Sequence, residues 1–174
     1  MSLSHNCATI AIVLRSLKME KIGVKNLLVS EIGTRLDYEI NEKIKNLDLP
    51  EEVRAEKVSG KIVASRLEET IIVKGNLVAD LVLICDRCLE NFKAHIPFHL
   101  EREYNLNRAD FSEESLYVDK RGDIDIEKPI REEIILTLPM QNFCKKNCKG
   151  ICQNCGVNLN KEKCKCKRSK RKKE

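Results

Sequence analysis

Phe92-Lys93-Ala94-His95-Ile96-Pro97-Phe98-His99-Leu100-Glu101 is the stretch that decides the fold, because apolar residues occupy every second position through it. A period of two is typical of a β-strand that buries one of its faces. The outward-facing set contains Pro97, which has no backbone N–H to donate to a neighbouring strand. The pattern therefore predicts an edge strand, or a strand with a bulge at this point.

Two segments on the N-terminal side of this run also predict strands. Residues 57–67 form the first, with Gly60 as a candidate bulge. Residues 70–85 form the second, which is long, rich in β-branched residues and interrupted at Gly75-Asn76. Glu68 and Glu69 lie between the two strands and supply a turn, so we expect an antiparallel pair.

Three shorter patterns complete the predicted fold. Residues 24–28 have the apolar spacing of a short helix, and residues 36–40 alternate as in a half-buried strand. Residues 128–138 have apolar side chains at every fourth position and end before a proline, which predicts an amphipathic helix. The expected fold class is α+β: a mainly antiparallel, curved or partly closed β-sheet with two short helices and a C-terminal zinc-binding, Cys-rich appendage.

Composition divides the chain into four parts. Residues 1–18 have no clear period and are expected to be a leader that is either extraneous or disordered. Residues 19–139 form the α+β body, which contains the Cys-x-Arg-Cys hairpin. Residues 140–166 form a zinc-binding module, and residues 167–174 form a basic, disordered tail.

Charge is distributed unevenly along the 174 residues, whose formal net charge is +5. Residues 144–174 contain 12 basic and 2 acidic side chains, whereas residues 1–143 contain 20 basic and 25 acidic. An acidic body with a basic end indicates a polyanionic partner for that end. Aromatic residues make up only 4% of the chain, which argues against platforms that stack nucleic-acid bases. No apolar run is long enough to predict a membrane partner.

The nine cysteines are clustered, with six of them inside 23 residues. They are Cys7, Cys85, Cys88, Cys144, Cys148, Cys152, Cys155, Cys164 and Cys166. The apolar residues 8–14 have neither a preceding basic segment nor a following cleavage site, so no export signal is predicted. We therefore expect a cytoplasmic protein with reduced thiols, where clustered cysteines usually bind metal.

The cysteine spacing predicts zinc, two ions per chain. The Cys152-x-x-Cys155-Gly156 segment has the shape of a zinc knuckle, since glycine permits the left-handed turn that follows the second ligand. The preferred pairing places one zinc at Cys152, Cys155, Cys164 and Cys166, and the other at Cys85, Cys88, Cys144 and Cys148. The rival pairing groups Cys144, Cys148, Cys152 and Cys155. Cys7 is left over in the preferred pairing. The spacings of ferredoxin iron–sulfur sites are absent, which favours zinc over an iron–sulfur cluster.

The basic end predicts phosphate contacts that release counterions without reading sequence. The candidate RNA-binding residues are Lys161, Lys163, Lys165, Lys167, Arg168, Lys170, Arg171, Lys172 and Lys173. Arg87 in the Cys85-x-x-Cys88 segment is a further candidate. It could equally donate to sulfur or to a nearby acid, and the lysine run could equally be a solvated terminus.

Catalytic motifs are absent from the sequence. There is no phosphate-binding glycine loop, no Gly-x-Ser-x-Gly and no histidine beside a convincing nucleophile. His95 and His99 lie on the outward face of a predicted strand, which places them far apart. The sequence therefore predicts neither an enzyme nor a small-molecule substrate.

Three segments together resemble the YceD family, also called large ribosomal RNA subunit accumulation proteins. They are Leu83-Ile-Cys85-Asp-Arg87-Cys88-Leu-Glu-Asn-Phe92, Ile130-Arg-Glu-Glu-Ile-Ile-Leu-Thr-Leu-Pro139, and the run from Cys148 to Cys166. The resemblance covers about residues 19–166 in the order and spacing of the family. It implies a non-catalytic role in accumulation of large-subunit (23S-type) rRNA, and hence in ribosome assembly. Together with the charge of the basic end, it leads to the hypothesis that precursor rRNA or an assembling ribosomal particle is the partner.

Two other functions compete with this hypothesis. The acidic body could bind a basic ribosomal protein, which would make the chain a protein adaptor without RNA contact. Alternatively, Cys85 and Cys88 could be a thiol redox pair, which would require an accessible thiolate of lowered pKa.

Overall fold

The computed structural model describes residues 21–43, 47–106 and 116–166, and the predicted leader and basic tail lie outside them. In chain order the elements are β1 (Lys21–Gly23), α1 (Lys25–Leu28), β2 (Arg35–Lys43), β3 (Val53–Arg66), β4 (Thr70–Ile84), β5 (Asn91–Asn105), β6 (Asp123–Asp125) and α2 (Glu127–Thr137). Strands β2, β3, β4 and β5 form an antiparallel sheet in that order. The α+β prediction is confirmed. In the described part of the chain β2 and β5 do not pair, so the sheet is not closed into a barrel.

Strand β5 is an edge strand, as the alternation around Pro97 predicts. Ile96, Phe98 and Leu100 are buried, whereas Pro97 and its outward-facing neighbours are exposed. An edge position leaves the missing N–H of proline without consequence for the ladder. The period of two therefore predicts correctly which face of this strand is buried.

The inner face of the sheet packs against both helices and a small ribbon formed by β1 and β6. The Tyr104 hydroxyl donates to the Asp125 carbonyl at 2.6 Å, which connects β5 to the ribbon. The Arg66 guanidinium donates to the carbonyls of Leu27 and Leu28 at the end of α1. Neither described helix is long and apolar enough to cross a membrane.

Two predicted irregularities are not where the sequence places them. Strand β4 continues through Gly75 and Asn76 without interruption, and Gly60 pairs in register. The irregularity in β3 lies between Ala55 and Lys57 instead. The glycines serve close packing of β3 against β4, which is a cross-strand property that the sequence of one strand does not reveal.

The sequence does not predict the ribbon, because each of its strands has three residues and a period of two cannot be recognised over that length. Its consequence for the site is indirect. Strand β6 leads directly into α2, and α2 packs beside β5. The Cys-rich segment that follows α2 therefore begins close to the β4–β5 connection.

Gly75 provides a test of the close approach between β3 and β4. A Cβ atom at Gly75 would lie 2.7 Å from the Ile62 Cα, a distance that real Cβ atoms do not adopt. We expect Gly75→Ala to lower the free energy of unfolding by about 1–3 kcal/mol or more, measured by urea denaturation. Gly23→Ala is the matched control, because its Cβ would meet only a side-chain atom at 3.4 Å. Equal stability of the two variants would contradict the packing described.

Candidate metal centres

Four cysteines from distant parts of the chain form one cluster, which we call the proximal group: Cys85, Cys88, Cys144 and Cys148. Cys85 and Cys88 lie in the connection between β4 and β5, and the other two follow α2. The Sγ atoms of Cys85 and Cys148 are 3.8 Å apart, and those of Cys88 and Cys144 are 3.7 Å apart. Three of the four residues are buried. The cluster therefore joins the C-terminal segment to the body.

A second cluster, the distal group, contains Cys152, Cys155, Cys164 and Cys166. The Sγ atom of Cys164 lies 3.2 Å from that of Cys152 and 3.7 Å from that of Cys155. Cys155 is exposed and the other three are half-buried. The distal group is thus closer to solvent than the proximal group.

Both clusters have the donor set and size that a tetrahedral metal requires. Metal–sulfur bonds of about 2.3 Å in a tetrahedron place sulfur atoms about 3.8 Å apart, close to the separations in the proximal group. A disulfide would need about 2.05 Å, and all eight cysteines are free. Within each group every sulfur lies within 4.8 Å of the others. The eight cysteines are grouped as in the preferred pairing, and the rival pairing does not form.

The two Cys-x-x-Cys segments adopt the same turn. The residue after the second cysteine donates its N–H to the carbonyl of the first, from Leu89 to Cys85 and from Gly156 to Cys152, each at 2.8 Å. Both donors have left-handed backbone angles, with φ of 58° and 72°. This turn directs the two thiols of each segment toward one point, and it is the left-handed turn that the knuckle motif predicts.

Backbone and side-chain hydrogen bonds attach the C-terminal segment to the hairpin. The Asp86 N–H donates to the Asn142 carbonyl at 2.9 Å, and the Asn142 N–H donates to the Asp86 carboxylate at 2.7 Å. The Ile151 N–H donates to the Arg87 carbonyl at 3.0 Å. The Cβ of any residue other than glycine at Gly150 would lie 2.9 Å from that same carbonyl oxygen.

Arg87 directs its side chain into this junction. Its guanidinium lies over the Phe143 ring, 4.1 Å from the centroid, and donates to the Cys148 carbonyl at 3.3 Å. A stacked and hydrogen-bonded guanidinium is held in one orientation. The partner of Arg87 is thus a backbone carbonyl and an aromatic ring, and not a sulfur atom or an acidic side chain. The residue remains exposed, so a phosphate contact by its free edge stays a prediction.

Asn160 links the two groups, because it belongs to the distal loop but contacts the proximal group. Its Nδ2 donates to the Cys148 Sγ at 3.3 Å, and its Oδ1 accepts from the Lys149 N–H at 3.0 Å. Asn158 holds this side chain by accepting from both the N–H and the Nδ2 of Asn160, each at 2.9 Å. An N–H···S bond of this kind orients a ligand and stabilises its thiolate form.

Thiol acidity differs strongly inside the groups. Burial opposes ionisation of Cys85, but backbone N–H groups of Cys144, Cys88 and Arg87 outweigh it and lower the pKa to about 6. Backbone N–H groups likewise lower the pKa of Cys152 to about 6. Burial and the neighbouring thiols raise the pKa of Cys144 to about 12. One thiol of each group is therefore surrounded by donors that favour the thiolate, which is the form that binds a metal.

The structure describes only part of the predicted RNA-binding set. Lys161 forms an ion pair with Glu90 at 2.7 Å, while Lys163 and Lys165 are exposed. Residues 167–173 lie outside the described residues. His95 and His99 face outward and contact Asp80 and Asn76, so they do not come together. Sequence reasoning missed the roles of Asn160 and Phe143, because their partners become visible only when the segment is docked.

The comparisons with known proteins agree with the cysteine pattern. The family described as "Large ribosomal RNA subunit accumulation protein YceD" matches residues 73–174, which include every cysteine of both groups. The chain belongs to the YceD family. No solved structure matches the chain.

Relatives of this YceD family member come from bacteria and plants. An uncharacterised protein of Mycobacterium leprae is 30% identical over 118 residues, covering 66% of this chain and 48% of that protein. An uncharacterised protein of Mycobacterium tuberculosis is 32% identical over 100 residues, covering 55% and 48%. The chloroplastic YCED homolog 1 of Arabidopsis thaliana, named a large ribosomal RNA subunit accumulation protein, is 45% identical over 49 residues, covering 28% and 15%. The chain spans about half the length of the mycobacterial proteins.

Asn160 allows a test of the link between the groups. We expect Asn160→Ala to lower the affinity of the proximal group for a divalent metal about 10- to 100-fold, because it removes the N–H···S bond to Cys148. Cobalt(II) titration followed by the thiolate-to-metal charge-transfer band measures this affinity. Asn147→Ala is the matched control, an exposed asparagine in the same segment. Indistinguishable affinities of the two variants would show that Asn160 does not support the ligand.

Proposed function

We propose that this chain is a non-catalytic, cytoplasmic factor in biogenesis of the large ribosomal subunit, which supports accumulation of large-subunit rRNA by binding precursor rRNA or an assembling particle. The YceD family match over residues 73–174 is the observation that carries this proposal. The Arabidopsis thaliana relative is named for the same process. The basic C-terminal end supports RNA as the partner, because residues 144–174 have 12 basic and 2 acidic side chains.

Zinc is the metal we assign to both groups. Four thiolates in a tetrahedral arrangement suit zinc or an iron–sulfur cluster, and the ferredoxin spacings are absent from the sequence. Bound zinc would supply folding free energy to a segment that has little apolar sequence of its own. Its role in this proposal is structural, since all four ligand positions in each group are filled by protein sulfur.

Burial disfavours the redox alternative. A thiol redox pair needs an accessible thiolate, and Cys85 and Cys88 are 0% and 5% exposed. Their sulfurs also lie beside those of Cys144 and Cys148, so the site contains four thiols and not an isolated pair. A four-thiol site between two parts of the chain is better suited to holding them together than to exchanging disulfides.

Metal analysis of the purified chain tests the zinc assignment. We expect two zinc ions per chain, one for each group of four thiolates. The double variant Cys152→Ser/Cys155→Ser should retain one zinc, while Cys7→Ser, outside both groups, should retain two. Inductively coupled plasma mass spectrometry gives the stoichiometry, and circular dichroism shows whether the sheet is intact. A folded chain without zinc would refute the assignment.

The double variant Cys85→Ser/Cys88→Ser separates the two groups further. It should lose the proximal zinc and expose the C-terminal segment to protease, because the sulfur connection to the hairpin is removed. Limited trypsin digestion would then cleave near residues 145–149 while the distal-group variant stays protected there. Unchanged protection would show that the proximal group does not attach the segment.

Salt dependence tests RNA binding by the basic tail. A chain that ends at Cys166 lacks Lys167, Arg168, Lys170, Arg171, Lys172 and Lys173. The slope of log affinity against log salt is negative, and each phosphate interaction with single-stranded RNA contributes about 0.7 to its magnitude. Truncation should therefore reduce the magnitude of the slope by up to about 4. A chain with the tail residues in scrambled order is the control and should bind as the unmodified chain does. An unchanged slope after truncation would exclude the tail from the RNA interface.

A further inference from the structure

Three exposed lysines in the segment that carries Cys144 and Cys148 lie outside the RNA-binding set predicted from the sequence: Lys145, Lys146 and Lys149. We propose that they form a preorganised phosphate-binding surface, the 145–149 loop, through which the chain contacts the RNA backbone. This inference rests on the proposed function and specifies where RNA contacts the metal-binding part of the protein.

The loop is held in one conformation from both ends. Cys144 and Cys148 belong to the proximal group, and the Cys148 N–H donates to the Lys145 carbonyl at 3.1 Å. The Lys149 N–H donates to the Asn160 side chain at 3.0 Å. A loop that is already ordered loses little entropy when it binds a ligand. Its ammonium groups are therefore presented on a fixed backbone.

The lysines of the loop are not paired with a carboxylate in the part of the chain that the structure describes. No Asp or Glu occurs between Glu133 and Glu162. Among the described residues, the ion pairs do not include Lys145, Lys146 or Lys149. All three side chains therefore remain available to an external polyanion.

The two acids of the adjoining hairpin are engaged elsewhere. Glu90 accepts from Lys161 at 2.7 Å and from the Asn158 amide at 3.3 Å, and these contacts lower its pKa. The Asp86 carboxylate accepts the Asn142 N–H. Lys161 is consequently paired internally, whereas the loop lysines are not. The structure thus shifts the expected phosphate contact from Lys161 to the loop.

The composition of the loop favours nucleic acid over an acidic protein. Residues 145–149 read Lys-Lys-Asn-Cys-Lys, and the one residue with apolar character, Cys148, is buried in the proximal group. The centre of a protein–protein interface is normally apolar and contains aromatic residues. Contact with phosphates needs charge and exposure only, and the loop offers both.

The test replaces the three lysines by glutamine in the zinc-loaded, full-length chain. We expect Lys145→Gln/Lys146→Gln/Lys149→Gln to reduce the magnitude of the negative slope of log affinity against log salt by about 2, since the variant no longer neutralises three single-strand phosphates. The probe is an in vitro transcript of large-subunit rRNA, followed by fluorescence anisotropy. Replacement of the same lysines by arginine keeps the charge and should keep the slope.

The matched control is Lys25→Gln/Lys43→Gln/Lys61→Gln, which removes the same charge from exposed positions on the body. The control should leave the slope unchanged. An equal fall in both variants would mean that net charge alone governs binding, and no fall in the loop variant would exclude the loop. Either result overturns the proposal while leaving RNA binding by the tail in place. Failure of the unmodified chain to bind the transcript would instead overturn the proposed function.

Two further readouts distinguish the loop from its alternatives. The lysines could serve only to balance the negative charge of a metal–thiolate centre. In that case the loop variant would lose zinc at lower chelator concentration than the control, which would overturn the proposal.

Polyglutamate replaces RNA in a parallel titration. A loop variant that loses polyglutamate binding but keeps RNA binding would identify a surface for acidic protein and would also overturn it.

Discussion

The meeting of four sulfur atoms from the β4–β5 hairpin and the segment after α2 is the interaction on which the rest of the structure depends. Cys85 and Cys148 are 63 positions apart in sequence, yet their sulfurs are separated by 3.8 Å. Between residues 140 and 166 only Cys148 and Gly150 are buried, so this segment has no apolar core. Burial of apolar surface supplies little, so its conformation must come from polar contacts with the hairpin, to which a metal bound by the four sulfurs would add.

Local periodicity explains which parts of the fold the sequence predicts. The alternation through Phe98 identifies β5 and its buried face, and the four-residue spacing that includes Ile130 and Ile134 identifies α2. Considered one strand at a time, Gly60 and Gly75 indicate a bulge and an interruption. Their actual role is to let β3 and β4 approach, which depends on register between strands. The three-residue strands of the ribbon are too short to give any period.

The same distinction applies to the candidate site. Cysteine spacing predicts the distal group, because ligand spacing is a local property of a knuckle. The proximal group joins distant segments, so the sequence alone leaves the rival pairing open and the fold decides between the two. The positions of Asn160 and Phe143 near the proximal group depend on how the segment docks, and no sequence pattern contains that information. Charge is likewise ambiguous in sequence. Lys161 and Lys145 look equivalent there, yet Lys161 pairs with Glu90 whereas none of the described ion pairs includes Lys145.

The proposed metal binding and the proposed polyanion binding would be linked in this arrangement. The proximal group fixes the conformation of the 145–149 loop, so a metal that binds the folded segment also orders the lysines. By reciprocity, an RNA that binds the ordered loop more tightly than the disordered one raises the affinity of the group for its metal by the same factor. The near-neutral average charge of the chain gives no sign of this proposed coupling. It would arise because the loop lysines, which take part in none of the described ion pairs, are placed beside Cys144 and Cys148.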